Sequence, residues 1–231
     1  MRYPQGIFTM QDEGESYDHY WTERGRALTE TLSDWQKERA DLILKEIGRN
    51  GGVESLGDIG AGNGAVLRYV ALKLKLKKTI AYEISPSSLV SLRSLGFTAV
   101  ECDVRAIQDR KKIEKVSYNL LLEVLEHLHD PEGVLKVAYD QSERGVFFSI
   151  PNTGFLTHRF RLLLGKVPLQ WKRNPSEHVR FWTIVDVRWW LRTLGYGRYS
   201  IHPYKGVPLL NKLWPNLFAE GVVVYISKDH V

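Results

Sequence analysis

Asp58, Glu83 and Asp103 each follow an apolar run, and Asp58 stands just ahead of a turn with three glycines, Gly60-Ala61-Gly62-Asn63-Gly64. Glycine takes positive φ readily and leaves no Cβ between backbone and ligand. A ligand can therefore lie against this turn and against the start of the helix that follows it. The chemistry this suits is the holding of a nucleotide-like cofactor. Counted as Gly60, Gly62 and Ala65, the turn fits the dinucleotide fingerprint, in which a pyrophosphate rests on a helix dipole. Asp58 opposes that reading, because a carboxylate there repels a pyrophosphate and attracts a cation. Without a ligand, the same residues are a plain strand-to-helix turn with a surface acid. Glu83 lies nineteen residues beyond Gly64. In a strand-helix fold an acid at the end of the second strand holds a ribose diol. A carboxylate accepts from both hydroxyls. Both cofactor readings share Glu83, so it indicates a nucleoside without choosing between them; a solvated strand-end acid is the alternative.

These residues need a scaffold that brings strand ends together, and the hydrophobic pattern supplies one. Strands are expected at 53–59, 78–84, 97–101, 116–122 and 146–150. Between them come helices at about 63–74, from Pro86, and from Asp130 to about Asp140. Such alternation implies a doubly wound α/β sheet, mostly parallel. An apolar face of Leu28, Leu32, Trp35, Ala40, Ile43, Leu44 and Ile47 predicts a preceding helix over 22–48. Residues 152–180 are basic and aromatic, with a helix expected at 155–164, and make a candidate lid over the strand ends. Thr183 is a candidate N-cap and Gly195 a candidate C-cap of a helix over 183–194. Two last strands, 199–204 and 221–227, have no long helical crossover between them and should pair antiparallel. The expected organisation is one domain over 1–231: a helical cap at 1–52, a cofactor-binding core at 53–151, a lid at 152–182, and a closing helix with the last strands at 183–231.

Composition narrows the class of protein. Of the 231 residues, 43% are hydrophobic and 26% charged, as in an ordinary soluble chain. The single cysteine, Cys102, excludes an intramolecular disulfide and a cysteine-rich zinc site. The net charge of +5 is spread over several clusters rather than a dense basic stripe, so no nucleic-acid partner is expected. No stretch reaches the ~18 apolar residues a membrane span needs. The polar N-terminal sequence does not read as a secretory leader, and a cytoplasmic location is expected.

Counted from Asp58, the turn reads D-x-G-x-G-x-G and resembles motif I of the class I S-adenosylmethionine (SAM) methyltransferases. SAM carries a sulfonium and an ammonium and no phosphate, which agrees with an acid at Asp58. A parallel sheet closed by an antiparallel pair is also the layout of that class. The resemblance implies a Rossmann-like seven-stranded sheet with SAM as cofactor. It implies that Asp58, Gly60, Gly62, Gly64 and Glu83 bind SAM, and that Asp103 accepts from the adenine amino group. Glu123-Val124-Leu125-Glu126-His127-Leu128-His129-Asp130-Pro131 is similar to the E-V-L-E-H-h-x-D-P segment of small-molecule methyltransferases, which borders the SAM methionyl part and the substrate. That places Glu123 with the cofactor residues and His127 beside the acceptor. The strand before it opens with Ser117 where that group has an aspartate, and Asn119 interrupts its apolar run.

The second half, with Ser149-Ile150-Pro151-Asn152-Thr153-Gly154, Arg159 to Pro168 and His178 to Asp186, resembles the MetW group of methyltransferase-like proteins. Tyr17 and Trp21 resemble the aromatic lead-in that covers the cofactor in this superfamily; packing of the first helix is the alternative. The function implied is transfer of a methyl group from SAM to a small-molecule acceptor by in-line displacement. His127 has a suitable ordinary pKa for a base, with a hydrogen-bonded loop histidine as the alternative; His178 is the other acceptor-side candidate. Three ligands converging on one atom cannot be argued from the spacing of these acids and histidines, so no metal is assigned. The basic, aromatic segment 155–173, which includes Trp171, Lys172 and Arg173, together with 214–218, suggests an acidic or lipid-like acceptor or contact with a membrane surface. A role as a non-catalytic SAM-binding partner of a methionine-pathway enzyme is the second implication of the MetW-like lid. An NAD-dependent enzyme is the third reading, if the turn grips a pyrophosphate despite Asp58.

Overall fold

The computed structural model describes residues 32–50, 53–168 and 178–228. Tyr17, Trp21, the beginning of the expected first helix, and Trp171, Lys172 and Arg173 lie outside the described residues. Helix α1 (Asp34–Asn50) starts behind Ser33, whose Oγ accepts from Gln36 N–H while Gln36 Oε1 accepts from Ser33 N–H. That reciprocal pair is a capping box. The chain then alternates β1 (Ser55–Ile59), α2 (Ala65–Leu74), β2 (Lys78–Glu83), α3 (Pro86–Ser94), β3 (Thr98–Glu101), β4 (Val116–Leu122), α4 (Pro131–Asp140) and β5 (Ser142–Pro151). After α5 (Leu156–Leu163) and α6 (Ile184–Thr193) come β6 (Tyr199–Tyr204), two single-turn helices, α7 (Leu210–Leu213) and α8 (Pro215–Phe218), and β7 (Gly221–Ser227).

The seven strands form one sheet in the order β3-β2-β1-β4-β5-β7-β6. β1 to β5 are parallel, and β7 pairs antiparallel with both β5 and β6. The expected Rossmann-like sheet and its antiparallel ending are both present. Every residue of β1 is buried, as a central parallel strand covered on both faces must be. One face packs Ile59, Leu121 and Phe148 against Val134 of α4 and Val187 and Leu191 of α6. The other packs Leu56, Tyr118 and Phe147 against Ile43 of α1 and Leu67 of α2.

The two polar residues of β4 have structural work. Ser117 Oγ accepts from Glu54 and Ser55 N–H, and Ser55 Oγ accepts from Ser117 N–H, which ties the starts of β1 and β4. Asn119 Nδ2 donates to the carbonyls of Ala138 and Gln141 at the end of α4, at 2.9 and 3.1 Å. Its amide has room only because residue 57 is glycine; a Cβ there would stand 2.3 Å from Asn119 Oδ1.

Among the boundaries that differ from the sequence expectation, two have a visible cause. β5 begins at Ser142 rather than at 146, because Ser142 pairs with Val116 and Gly145 with Ser227. Gly145 passes so close to β7 that a Cβ would lie 2.1 Å from Ile226 O. Pairing, not apolar pattern, extends the strand. Thr183 does cap α6, in a capping box with Asp186, but the C-cap is Leu194 and Gly195 follows it at φ +84°.

Candidate functional site

The carboxyl ends of β1, β2 and β4 meet where the strand order reverses, since β1 is flanked by β2 on one side and β4 on the other. Open α/β sheets bind ligands in the crevice at such a switch point. The glycine turn leaves β1 there. Gly60 and Ala61 N–H both donate to Tyr82 O, at 2.8 and 3.2 Å, so the turn is laid across the end of β2. Gly60 sits at φ +75°, and a Cβ on it would lie 2.7 Å from Val124 Cγ2. Position 60 therefore admits glycine on two grounds, conformation and space.

Glu83 closes the turn. Its Oε2 accepts from Gly62 N–H at 2.8 Å, and Oε1 accepts from Ile84 and Ser85 N–H at 2.8 and 3.0 Å. Three of roughly four acceptor positions of the carboxylate are filled by backbone. A ligand hydroxyl reaching Glu83 must take the last one or exchange with Gly62 N–H. Asp58 is 3% exposed, and its Oδ1 has no hydrogen-bond partner among the described residues. Burial pushes its carboxyl up to about 7; the Glu83 charge adds to this and Arg39 opposes it. A buried acid poised near neutrality and short of a partner suits a cationic ligand.

Asp103 is placed differently from its expected freedom to meet an amino group. Arg105 grips it in a fork, Nε to Oδ1 and Nη2 to Oδ2, both at 2.9 Å. Burial raises its carboxyl and the Arg105 N–H opposes the rise. An adenine amino group would compete there with a guanidinium.

Glu123 follows β4 at φ +56°, a costly backbone conformation for a residue with a side chain. Its Oε1 collects Ser149 Oγ at 2.7 Å, Arg39 Nη1 at 3.0 Å and Tyr204 Oη at 3.2 Å. Helix α1, β4, β5 and β6 are thus joined at one carboxylate. Burial raises the Tyr204 hydroxyl well above its ordinary range, so it donates. Three residues on, the side chain of Glu126 is buried with neither oxygen partnered among the described residues, and its backbone carbonyl accepts from Val179 and Arg180 N–H. Those bonds bring His178 beside His127, the ring centroids 4.7 Å apart and the planes 89° apart. Burial, and then His127, push His178 down to about 4.

The structure thus brings together Asp58, Gly60, Gly62, Gly64 and Glu83 in one group, and Glu123, His127 and His178 in another. Asp103 lies past β3 at the margin. Sequence reasoning missed Arg39, Glu126, Ser149 and Tyr204. Arg39 had a detectable signal: it is four residues from both Trp35 and Ile43, on the apolar face of its helix. Tyr204 and Ser149 carried none.

The sheet order, the glycine turn and the buried acid before it define a class I methyltransferase. A family model described as a methyltransferase domain matches residues 17–198, and the chain belongs to that family. Its fold is similar to a SAM-dependent methyltransferase from Archaeoglobus fulgidus, with 17% identity over 82% of this chain and 94% of that one, TM-score 0.58. A SAM-dependent methyltransferase from Thermotoga maritima aligns at 16% identity over 94% and 99%, TM-score 0.61. The plantazolicin methyltransferase BpumL, solved with S-adenosylhomocysteine, aligns at 13% identity over 96% and 92%, TM-score 0.59. No curated protein matches in sequence. The chain is a SAM-dependent methyltransferase, and SAM is its cofactor. No helix among the described residues is long and apolar enough to cross a membrane.

Proposed function

We propose that this enzyme methylates a small molecule with an apolar, lipid-like portion, within the MetW-like subgroup. The observation that carries the cofactor assignment is the Asp58 carboxylate, buried without a partner for Oδ1 beside a turn that Glu83 pins. SAM supplies an electrophilic methyl on a sulfonium, open to in-line displacement by the acceptor. Asp58 would balance the cofactor's ammonium, Gly60, Gly62 and Gly64 would let it lie against backbone, and Glu83 would take ribose hydroxyls. Glu123 would border its methionyl end and Asp103 its adenine. The chain's main contribution is positioning, since holding nucleophile and methyl in line removes much of the barrier.

The lipid-like acceptor is supported by exposed apolar side chains on the expected lid, with 1–231 read as one domain and 152–182 as that lid. Phe160, Leu163 and Leu164 are exposed on and after α5, and Leu213 and Trp214 between the last two strands. Asn152 links the two stretches: its Nδ2 donates to the carbonyls of Asn216 and Ala219 and its Oδ1 accepts from Gly154 N–H. His127 and His178 flank the acceptor side.

A regulatory, non-catalytic role is favoured by one observation. With His178 pushed down to about 4, that imidazole is a weak base at neutral pH. The test is thermal unfolding with SAM, S-adenosylhomocysteine and NADH, followed by release of S-adenosylhomocysteine with hydroxylated amphiphiles. A ligand at a hundred times its Kd stabilises by about 2.7 kcal/mol, roughly 5–10 °C for a chain this size. Both sulfur nucleosides are expected to shift the midpoint and NADH is not. Turnover with amphiphiles supports the enzyme reading. Co-purification of an acyltransferase, with no methyl transfer to any extract component, supports the regulatory one.

A further inference from the structure

Glu126, His127 and His178 each offer one ligand atom within 4.8 Å of the other two. The convergence is built by the backbone. Residues 125–127 form a single tight turn after β4, and Glu126 O accepts from Val179 N–H at 2.9 Å and Arg180 N–H at 3.1 Å. Arg180 Nη2 adds a 2.6 Å bond to His129 O. Two segments some fifty residues apart are stapled so that both imidazoles face one carboxylate. That carboxylate belongs to a residue 1% exposed, and neither oxygen has a hydrogen-bond partner among the described residues. His178 Nδ1 is likewise buried and unpartnered among them. Buried acids of this kind are tolerated when they are paired or when they ligate a metal.

We propose that Glu126, His127 and His178 form a binding site for a divalent transition-metal cation. Two imidazoles and one carboxylate are the donor set of manganese, iron, cobalt or zinc sites rather than of calcium. Ligand distances of about 2.0–2.2 Å to such a metal bring neighbouring donor atoms to roughly 3–3.5 Å of each other. Capture therefore draws the three side chains together by about an ångström. Glu123, three residues before Glu126, adds negative charge on the same loop. Three protein ligands leave positions open for an oxygen donor. On the methyl-transfer reading that donor is the acceptor; this last point rests on that reading, whereas the metal site does not.

The test uses the full chain, treated with chelator and dialysed, then titrated with Co²⁺ by calorimetry and visible absorption and with Mn²⁺ by electron paramagnetic resonance. One ion per chain is expected, with Glu126→Gln and His178→Asn each weakening binding at least tenfold. His178→Asn carries the test if Glu126→Gln does not fold, and circular dichroism reports folding in both. Absence of a site in the wild type at about millimolar metal, or equal affinity in folded His178→Asn, overturns the proposal. S-adenosylhomocysteine affinity is measured on the same samples. Its retention with loss of metal binding supports the proposal, and its absence with metal bound contradicts the cofactor assignment alone.

Discussion

The two halves of the crevice are built in opposite ways. On the β1–β2 side, the turn and Glu83 belong to neighbouring strands, and their polar groups satisfy one another within twenty-five residues of chain. On the β4–β5 side, Glu123 draws partners from Arg39, Ser149 and Tyr204, and Glu126 and His127 meet His178 across the fold. That side also keeps buried polar atoms without partners, Glu126 Oε1 and Oε2 among them. A half assembled locally, with the turn and Glu83 satisfying one another and Asp58 Oδ1 left over for a cation, is ordered before any ligand arrives. A half assembled from distant segments, with polar atoms left over, depends for its order on what binds there.

Breaking the first half should abolish cofactor binding and spare the second. Gly60→Val forces a β-branched residue to φ +75° and against Val124; calorimetry is expected to show no S-adenosylhomocysteine binding, with α-helical circular dichroism retained. Asp58 gives the next effect. Its folded pKa is raised from 3.8 to about 7, so its contribution to ligand-free stability is present below about pH 4 and is lost as pH rises to 7. Binding a cation requires the ionised form. Cofactor affinity should therefore climb by up to about tenfold per pH unit below 7 and level off above it. Asp58→Asn should flatten that profile and raise the ligand-free melting midpoint at pH 8.

Changes in the second half should act on stability and on the acceptor more than on cofactor affinity. Arg39→Met leaves Glu123 without its cation. Breaking a buried pair costs about 3–5 kcal/mol; Glu123 is a third exposed, so about 1–3 kcal/mol is expected in urea unfolding. The smallest effect is on the lid: Leu163→Ser removes exposed apolar contact worth ~1 kcal/mol and should raise the acceptor KM about fivefold, measured by initial rates.

The same contrast explains what could be read from sequence. The strands and the mostly parallel sheet with its antiparallel ending were legible, because hydrophobic period specifies them locally, and a contiguous motif marked the glycine turn that follows β1. The Arg39–Glu123–Tyr204 cluster was not, since nothing at Tyr204 marks a partner 81 residues back. Glu126 was quoted within its motif but given no role. Its backbone carbonyl accepts from Val179 and Arg180 N–H, and no spacing rule links residues 126 and 179. Nor does spacing show that Arg105 grips Asp103 from two residues on.

The most direct measurement is calorimetric titration of S-adenosylhomocysteine into the wild type and into Glu83→Ala, with Glu83→Gln as the variant that keeps one carbonyl acceptor. Losing a charged hydrogen-bond pair predicts more than tenfold weaker binding to Glu83→Ala, about 1.4 kcal/mol, and an intermediate value for Glu83→Gln. Unchanged affinity in a folded Glu83→Ala protein would contradict the placement of the cofactor between the glycine turn and β2.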